Sequence, residues 1–277
     1  MAHAVLTVTI SPVELGREIL ISDLSDIDFE GFLETEDGVE AYVEESELDM
    51  NKVEVVFNKL REAGFEITCT SSVAEEKNWN EEWEKNFDSV EIKDLCRIRA
   101  TFHEHKEGFK EEVIIMPKMS FGTGHHATTS MMVENLMTVK VEGPLLDMGS
   151  GTAVLAILAR KLGVEDVTAI DIDDWAFENA PDNCQLNGIS DIEILQGDAS
   201  LLGAKRFNTV LANINRNVLL EDIPKYAGVL HKNGQLFVSG FYVEDLDLIK
   251  EVATRSGFTF NGNLTKDNWV SARFIKA

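Results

Sequence analysis

The segment "PLLDMGSGTAVLAILARKLG", residues 144–163, constrains the fold of this chain more than any other. A short apolar run, a turn with Gly149 and Gly151, and an apolar stretch of helical length predict a buried strand, a glycine turn and a helix. Strand-like and helix-like segments then alternate, and two strand-like segments follow the last helix. This order predicts a doubly wound α/β fold with a parallel sheet of roughly seven strands and an antiparallel edge.

Residues 1–72 have a different pattern. Apolar residues alternate in "HAVLTVTI", a helix-like segment follows, and a turn at Asp37 and Gly38 separates two further strand-like segments. The helix-like "NKVEVVFNKLREAG" and the strand-like "FEITCTS" complete the order βαββαβ, which predicts a small ferredoxin-like α+β domain. No set of side chains typical of catalysis occurs here, so we expect a role in substrate recognition or packing.

Residues 73–89 are predicted to form a linker helix. Trp79, Trp83 and Phe87 recur every four positions in an otherwise polar segment, which predicts one aromatic stripe that packs on a neighbouring domain. Stacking of these rings on a cofactor is the alternative. The expected organisation is therefore a recognition domain at 1–72, the linker at 73–89 and a cofactor-binding catalytic domain at 90–277.

The formal net charge is −24 at pH 7. Because nucleic-acid binding depends on Lys and Arg that neutralise phosphates, autonomous binding to DNA or RNA is disfavoured, whereas encounter with a basic macromolecule would be accelerated. The alternative is that the acidic charge has no role in partner binding and only keeps the protein soluble. No apolar run approaches the ~20 residues of a membrane span, and the start has no signal-peptide pattern. We expect a cytoplasmic protein without a membrane partner.

The glycine turn predicts a nucleotide-like cofactor. Gly149 and Gly151 allow a sharp turn and a close backbone approach, and the helix that follows offers free N–H groups. A nicotinamide fingerprint requires a third glycine where Val154 stands, which weakens a dehydrogenase interpretation. Asp147 would repel a pyrophosphate, so the turn favours a cofactor with a cationic centre.

Two further acidic residues follow the next strands. Asp171 ends "VTAID", where a carboxylate can accept both hydroxyls of a ribose. Alternatively, an acidic residue at this strand end caps the next helix, with Asp173 or Asp174 as its N-cap. Asp198 in "LQGDAS" is placed to reach an adenine amino group, with an ordinary turn as the alternative.

The stretch "MSFGTGHHATTS", residues 119–130, is predicted to close over the cofactor. Gly122 and Gly124 permit a tight loop, and Thr129 at the start of a helix can bind the amino-acid part of a ligand. Metal binding by the adjacent His125 and His126 is disfavoured, because neighbouring residues seldom aim at one ion and no further ligand set completes a site. No metal is expected.

Taken together, the glycine turn, the acid after the second strand and "GDA" after the third resemble the class I S-adenosylmethionine-dependent methyltransferases. "FGTGHHATT", "LANINRNVL" and "GQLFVSGF" narrow the resemblance to the PrmA family, methyltransferases of ribosomal protein eleven of the large subunit. The resemblance implies a class I catalytic domain, S-adenosylmethionine as cofactor and this basic ribosomal protein as partner. It places cofactor contacts at Thr129, Gly149, Asp171 and Asn213. The residues themselves add five further candidates for cofactor binding, which are Asp147, Gly151, Asp198, Gly122 and Thr123.

The chain departs from the family loop G-T-G-T-H-P-T-T at His125, which replaces Thr, and at Ala127, which replaces Pro. The implied reaction is methyl transfer to lysine side chains or an N-terminal α-amine. Asn213 is the predicted catalytic residue, because its carbonyl oxygen can orient the lone pair of the amine. "NINR" is not the N-P-P-Y of amide and adenine-amine methyltransferases. A methyltransferase of another protein or a small molecule is the alternative, and a nicotinamide-dependent dehydrogenase is a more distant one.

Overall fold

The computed structural model describes residues 3–73, 87–116 and 124–277. The chain divides into two compact units, with the division between Asn86 and Phe87. Trp79 and Trp83 of the predicted linker helix lie outside the described residues, as do Gly122 and Thr123 of the predicted loop.

The first unit has the predicted ferredoxin-like order βαββαβ. Its sheet is antiparallel throughout, with strand order β2-β3-β1-β4. The elements are β1 (His3–Ser11), α1 (Val13–Ser25), β2 (Gly31–Glu34), β3 (Gly38–Glu44), α2 (Met50–Glu62) and β4 (Glu66–Val73).

The core of this unit lies between its sheet and its two helices. Leu6 and Val8 alternate along β1 and are fully buried, as the period of two predicts. They belong to one apolar cluster with Leu20 of α1 and Phe57 of α2. Helix α2 begins at the residue after Asp49, whose side chain accepts a hydrogen bond from the Asn51 backbone N–H at 2.9 Å.

The second unit begins with a small sheet and continues into the large one. The small sheet has order β5-β6-β7, in which β5 and β6 are antiparallel and β6 and β7 parallel. Its strands are β5 (Val90–Ile92), β6 (Cys96–Arg99) and β7 (Glu111–Ile114).

The large sheet has seven strands in the order β10-β9-β8-β11-β12-β14-β13. Neighbouring strands from β10 to β12 are parallel, and β14 is antiparallel to both β12 and β13. The predicted doubly wound sheet with an antiparallel edge is therefore confirmed. The strands are β8 (Leu145–Met148), β9 (Val167–Asp171), β10 (Ile192–Gln196), β11 (Phe207–Asn213), β12 (Leu230–Tyr242), β13 (Phe258–Lys266) and β14 (Trp269–Lys276).

Helices cover both faces of this sheet. They are α3 (Ala127–Thr138), α4 (Val154–Lys161), α5 (Asp174–Leu186), α6 (Arg216–Val229) and α7 (Leu246–Arg255). Apolar residues of α3, α4 and α5 pack with Leu145 and Leu211 in one core, whereas those of α6 and α7 pack with Leu146 and Val210 in the other. No helix within the described ranges is long and apolar enough to cross a membrane.

The winding of the chain determines where a ligand can bind. From β8 the sheet grows through β9 and β10 on one side and through β11 and β12 on the other. The connections leave β8 and β11 in opposite directions and open a crevice at the carboxyl ends of these neighbouring strands. Residues just after β8, β9, β10 and β11 are therefore the ones that can meet around a ligand.

We expect Leu20→Ala to lower the free energy of unfolding of the first unit by about 2–5 kcal/mol, because it opens a cavity at a fully buried position. Hydrogen–deuterium exchange of peptides from β1 and β3, measured by mass spectrometry, would report this change. Leu15→Ala on the same helix is the matched control, since Leu15 is 59% exposed. Equal acceleration of exchange in both variants would contradict the core described above.

Candidate active site

A cavity of about 420 Å³ lies at the carboxyl ends of β8, β9 and β11. Six of the predicted cofactor residues line it, together with apolar side chains such as Ile172, Ile214 and Val218. The structure thus brings together positions that are up to 84 residues apart in the chain. The six are Thr129, Gly149, Gly151, Asp171, Asp198 and Asn213.

The glycine turn forms one wall of the cavity. Gly149 has φ +71° and Gly151 has φ +54°, both in the left-handed region that favours glycine. A Cβ on Gly149 would lie 2.1 Å from Cγ2 of Ile214, the residue that follows β11. The turn therefore depends on glycine for its conformation and for its close approach to the neighbouring strand end. Val154, where a nicotinamide fingerprint has glycine, is the buried first residue of α4.

Asp171 joins the end of β9 to the glycine turn. Its Oδ2 accepts a hydrogen bond from the Gly151 N–H at 2.7 Å, and its Oδ1 accepts one from the Asp173 N–H at 3.0 Å. Asp173 in turn caps α5 by accepting from the Trp175 N–H at 2.8 Å. The capping role thus belongs to Asp173, and Asp171 keeps further acceptor lone pairs for a ligand.

Asp198 forms the turn that was considered for it and also lies at the cavity. Its Oδ1 accepts a hydrogen bond from the Ser200 N–H at 2.8 Å and begins a short 3-10 turn, Ala199–Leu201. Hydrogen bonds from Ser200 hold the pKa of Asp198 below its usual range. The residue also lines the cavity, so the turn fixes a carboxylate beside it.

Asn213 ends β11 at the centre of this edge. Its Nδ2 donates to Thr129 Oγ1 at 3.3 Å, and Thr129 is itself buried. Asn213 Oδ1 is buried and has no hydrogen-bond partner within the described part of the chain. Leaving a buried acceptor unpaired costs about 1–3 kcal/mol, so a ligand that donates to this oxygen would recover that free energy.

The adjacent His125 and His126 make contacts with different parts of the structure. His126 caps α3, because its Nδ1 accepts from the Thr128 N–H at 3.3 Å, and its ring packs on Trp269. His125 packs edge-on against Phe87. In the described ranges, no group of three or more His, Cys, Asp or Glu side chains could hold a metal ion.

A family model described as "Ribosomal protein L11 methyltransferase (PrmA)" matches residues 7–277. The chain belongs to this family. The ribosomal protein L11 methyltransferase of Phocaeicola vulgatus is 42% identical over 279 residues, which cover 99% of each chain. That of Bacteroides thetaiotaomicron is 41% identical over 264 residues, or 94% of each chain. The ribosomal protein L11 methylase structure from Lactobacillus delbrueckii subsp. bulgaricus aligns with a TM-score of 0.63 and 27% identity, over 69% of this chain and 100% of that one.

Membership of the L11 methyltransferase family confirms the resemblance, the class I fold and the prediction of a methyltransferase. It sets aside the dehydrogenase alternative, in agreement with Val154 at the position of the third glycine.

Asp147, also predicted to contact the cofactor, lies behind the cavity wall in this family member. The side chain in β8 is fully buried, and its Oδ2 accepts from the Ala156 N–H of α4 at 3.1 Å. Its Oδ1 has no hydrogen-bond partner among the residues described. Burial raises the pKa of Asp147 to about 7, the Ala156 N–H opposes this shift, and the charge of Asp171 adds to it.

Three asparagines at α5, which bind the backbone of neighbouring segments, were not predicted from the sequence. Asn183 Oδ1 accepts from the Met116 N–H at 2.8 Å, and its Nδ2 donates to the Thr152 carbonyl oxygen in the glycine turn at 3.0 Å. Asn187 pairs with both backbone groups of Ile114, at 3.0 and 2.7 Å. Together with Asn179, which donates to the Met116 carbonyl oxygen at 3.4 Å, they hold the chain after β7 against α5.

The spacing of these asparagines is a usable signal. Residues 179, 183 and 187 recur every four positions, which places them on one face of a helix. Asn179 and Asn183 are almost completely buried. Because a buried amide requires hydrogen-bond partners, such a row in a predicted helix indicates pairing with backbone groups of another segment.

The raised pKa of Asp147 predicts a pH-dependent stability. The folded state binds this proton more tightly than the unfolded chain, so the contribution of Asp147 to the free energy of unfolding falls as the pH rises from about 4 to about 7. We expect Asp147→Asn to gain about 2 kcal/mol relative to wild type between about pH 5.5 and about pH 8. Urea unfolding of both proteins at the two pH values measures these free energies of unfolding. Asp94→Asn, at an exposed position, is the control, and parallel curves for wild type and Asp147→Asn would contradict the prediction.

Substitution of Gly149 tests the cavity as the cofactor site. We expect Gly149→Ala to weaken S-adenosylmethionine binding by about tenfold or more, because left-handed φ costs an L-residue roughly 1–2 kcal/mol and the added methyl displaces Ile214. Calorimetric titration measures this, with Gly203→Ala as control, since a Cβ there meets nothing within 4 Å. Wild-type affinity in a folded Gly149→Ala variant would exclude the cavity as that site.

Proposed function

We propose that this chain transfers methyl groups from S-adenosylmethionine to amines of ribosomal protein L11, at lysine side chains, the N-terminal α-amine or both. The names of its relatives support the substrate, and the cavity supports the reaction. The observation that carries the proposal is the buried, unpaired Oδ1 of Asn213 at the cavity wall.

The residues of the cavity fit S-adenosylmethionine. Gly149 leaves room for a ligand at the backbone, because a side chain there has no space. Asp171 would accept the ribose hydroxyls, Asp198 would lie near the adenine amino group, and Thr129 would bind the amino-acid part. The unpaired Oδ1 of Asp147 adds acceptor capacity behind this wall, which suits a cationic ligand. When bound, the cofactor supplies a methyl group already activated by its sulfonium.

The protein must then hold a neutral amine in line with that methyl. Asn213 Oδ1 would accept a hydrogen from the amine and direct its lone pair towards the methyl group. Thr129 keeps the amide of Asn213 in place through the 3.3 Å hydrogen bond to Nδ2. Asn213 is therefore the proposed catalytic residue, and Thr129 supports its orientation.

Deprotonation of the acceptor precedes attack. A free lysine has a pKa of ~10.4 and a free α-amine a pKa of ~8, so the protonated form dominates in water at neutral pH. Burial beside the apolar Ile172, Ile214 and Val218 would lower the amine pKa, because desolvation disfavours its charged form. Solvent can take the proton.

We further propose that residues 1–72 recognise the basic substrate. This part of the sequence has 17 acidic and 4 basic side chains, a net charge of −13 out of −24 for the whole chain. A field of this sign attracts a Lys-rich and Arg-rich protein and repels nucleic acid, whose direct binding is not expected. The linker role of residues 73–89, the loop contacts of Gly122 and Thr123 and the cytoplasmic location remain predictions from the sequence.

Asn213→Ala tests the proposed catalytic residue. With purified L11 as acceptor, we expect the rate of methylation to fall by about 100-fold, because the amine loses its orienting acceptor. Mass spectrometry of intact L11 follows the reaction as mass gains in multiples of one methyl group. Asn263→Ala, at an exposed position of β13, is the matched control and keeps the wild-type rate.

Each part of the proposal can fail separately. If wild-type protein leaves the mass of L11 unchanged while it binds S-adenosylmethionine, the assigned substrate is wrong, and a different methyl acceptor must be sought. If wild type methylates L11 and Asn213→Ala does so equally fast, the role of Asn213 is wrong and the substrate stands.

A further inference from the structure

Three rings stack at the carboxyl end of β12. The centroids of Tyr242 and Trp269 are 4.1 Å apart with the ring planes tilted by 35°, and those of Trp269 and His126 are 4.6 Å apart in an edge-to-face contact. Tyr242 is 41% exposed, whereas Trp269 and His126 are half-buried. One ring of this aromatic stack is therefore accessible to a ligand.

Two elements connect the stack with Asn213. The first is α3, because Asn213 donates to Thr129, which lies three residues after His126, the N-cap of this helix. The second is β12, because a Cβ on Gly240 would lie 2.1 Å from the carbonyl oxygen of Ile214, the residue after Asn213. Gly240 precedes Tyr242 by two residues. The aromatic stack is thus joined through α3 and β12 to Asn213, the proposed catalytic residue.

The hairpin between β13 and β14 holds the stack in place. Asp267 and Asn268 form its two-residue turn, with φ of +51° and +64°. The Asn268 carbonyl oxygen accepts from the Val243 N–H at 3.0 Å, and Tyr242 is paired with Trp269 across the strands. The ring of Tyr242 is therefore fixed before a ligand arrives, which reduces the entropy lost on binding.

The surroundings of Tyr242 favour a cationic ligand. Exposed carboxylates lie close in sequence to both rings, at Glu244 after Tyr242 and at Asp267 before Trp269. The ammonium of Lys266, which is paired with Trp269 in the hairpin, donates a hydrogen bond to Ser130 Oγ on α3 at 3.2 Å. An aromatic face beside carboxylates attracts ammonium and methylated ammonium groups.

We propose that the Tyr242–Trp269 pair forms the acceptor subsite, which binds the alkylammonium side chain of the methyl acceptor before its deprotonation and after its methylation. This inference rests on the proposed function and adds a specificity-determining surface to it. The methylene chain of the acceptor packs on the ring of Tyr242, and its head group lies over the ring face. The subsite acts on the acceptor and leaves cofactor affinity unaffected.

Two variants at Tyr242 test the subsite. Tyr242→Leu keeps the apolar volume and removes the ring, so we expect the KM for L11 to rise about tenfold, the loss of one cation–π contact. Tyr242→Phe keeps the ring and restores the wild-type KM. The Kd for S-adenosylmethionine stays at the wild-type value in both. Phe260→Leu, on β13 away from the carboxyl edge, is the matched control and leaves the KM unchanged.

A binding measurement makes the test independent of L11. Nα-acetyl-lysine amide added to the protein should shift the NMR signal of the Trp269 indole N–H in wild type and Tyr242→Phe, and leave it unshifted in Tyr242→Leu. Identical behaviour of the Leu and Phe variants in both measurements would overturn the proposal, as would a weaker Kd for S-adenosylmethionine in Tyr242→Leu. If L11 is not methylated but the lysine probe shifts the signal, the substrate assignment fails and the subsite stands.

Discussion

The contact between the glycine turn and the end of β11 is the constraint on which the site depends. Gly149 lies so close to the side chain of Ile214 that no side chain fits between them, and Gly240 lies equally close to the backbone of Ile214. Asp171 connects the end of β9 to the same turn, because its carboxylate accepts a hydrogen bond from the Gly151 N–H. Because these contacts join β8, β9, β11 and β12 at one edge, a single displaced turn would change the cavity, the orientation of Asn213 and the neighbouring aromatic stack together.

At this edge of the sheet, buried polar atoms lack hydrogen-bond partners from the described part of the protein, and a bound ligand can provide those partners. Asn213 Oδ1 and Asp147 Oδ1 are both buried and unpaired within the described residues. Each such atom costs the folded protein about 1–3 kcal/mol, which the large apolar cores on the two faces of the sheet offset. The site is therefore less stable than its scaffold without a ligand, which is common where a fold gives up local stability for binding.

Hydrophobic periodicity was sufficient to predict both folds, because period two and period 3.6 specify which face of an element is buried. The predicted strand ends also put Gly149, Asp171 and Asn213 at one edge of the sheet, where the carboxyl ends of parallel strands meet and where all three line the cavity. It could not predict that Asp147 turns towards α4 or that His126 caps α3. Both depend on the partner that a side chain meets in space, and local patterns carry no information about that partner.

The asparagine row of α5 has a consequence for how this chain can change. The last residues of the β7 segment find their hydrogen-bond partners in amide side chains, so a helix serves here as the neighbouring strand. An α-helix turns by about 100° per residue. A single insertion or deletion between Asn179 and Asn187 would therefore rotate one of these amides away from the backbone it serves. The length of α5 is thus fixed as strictly as the register of a β-sheet, although no strand is involved.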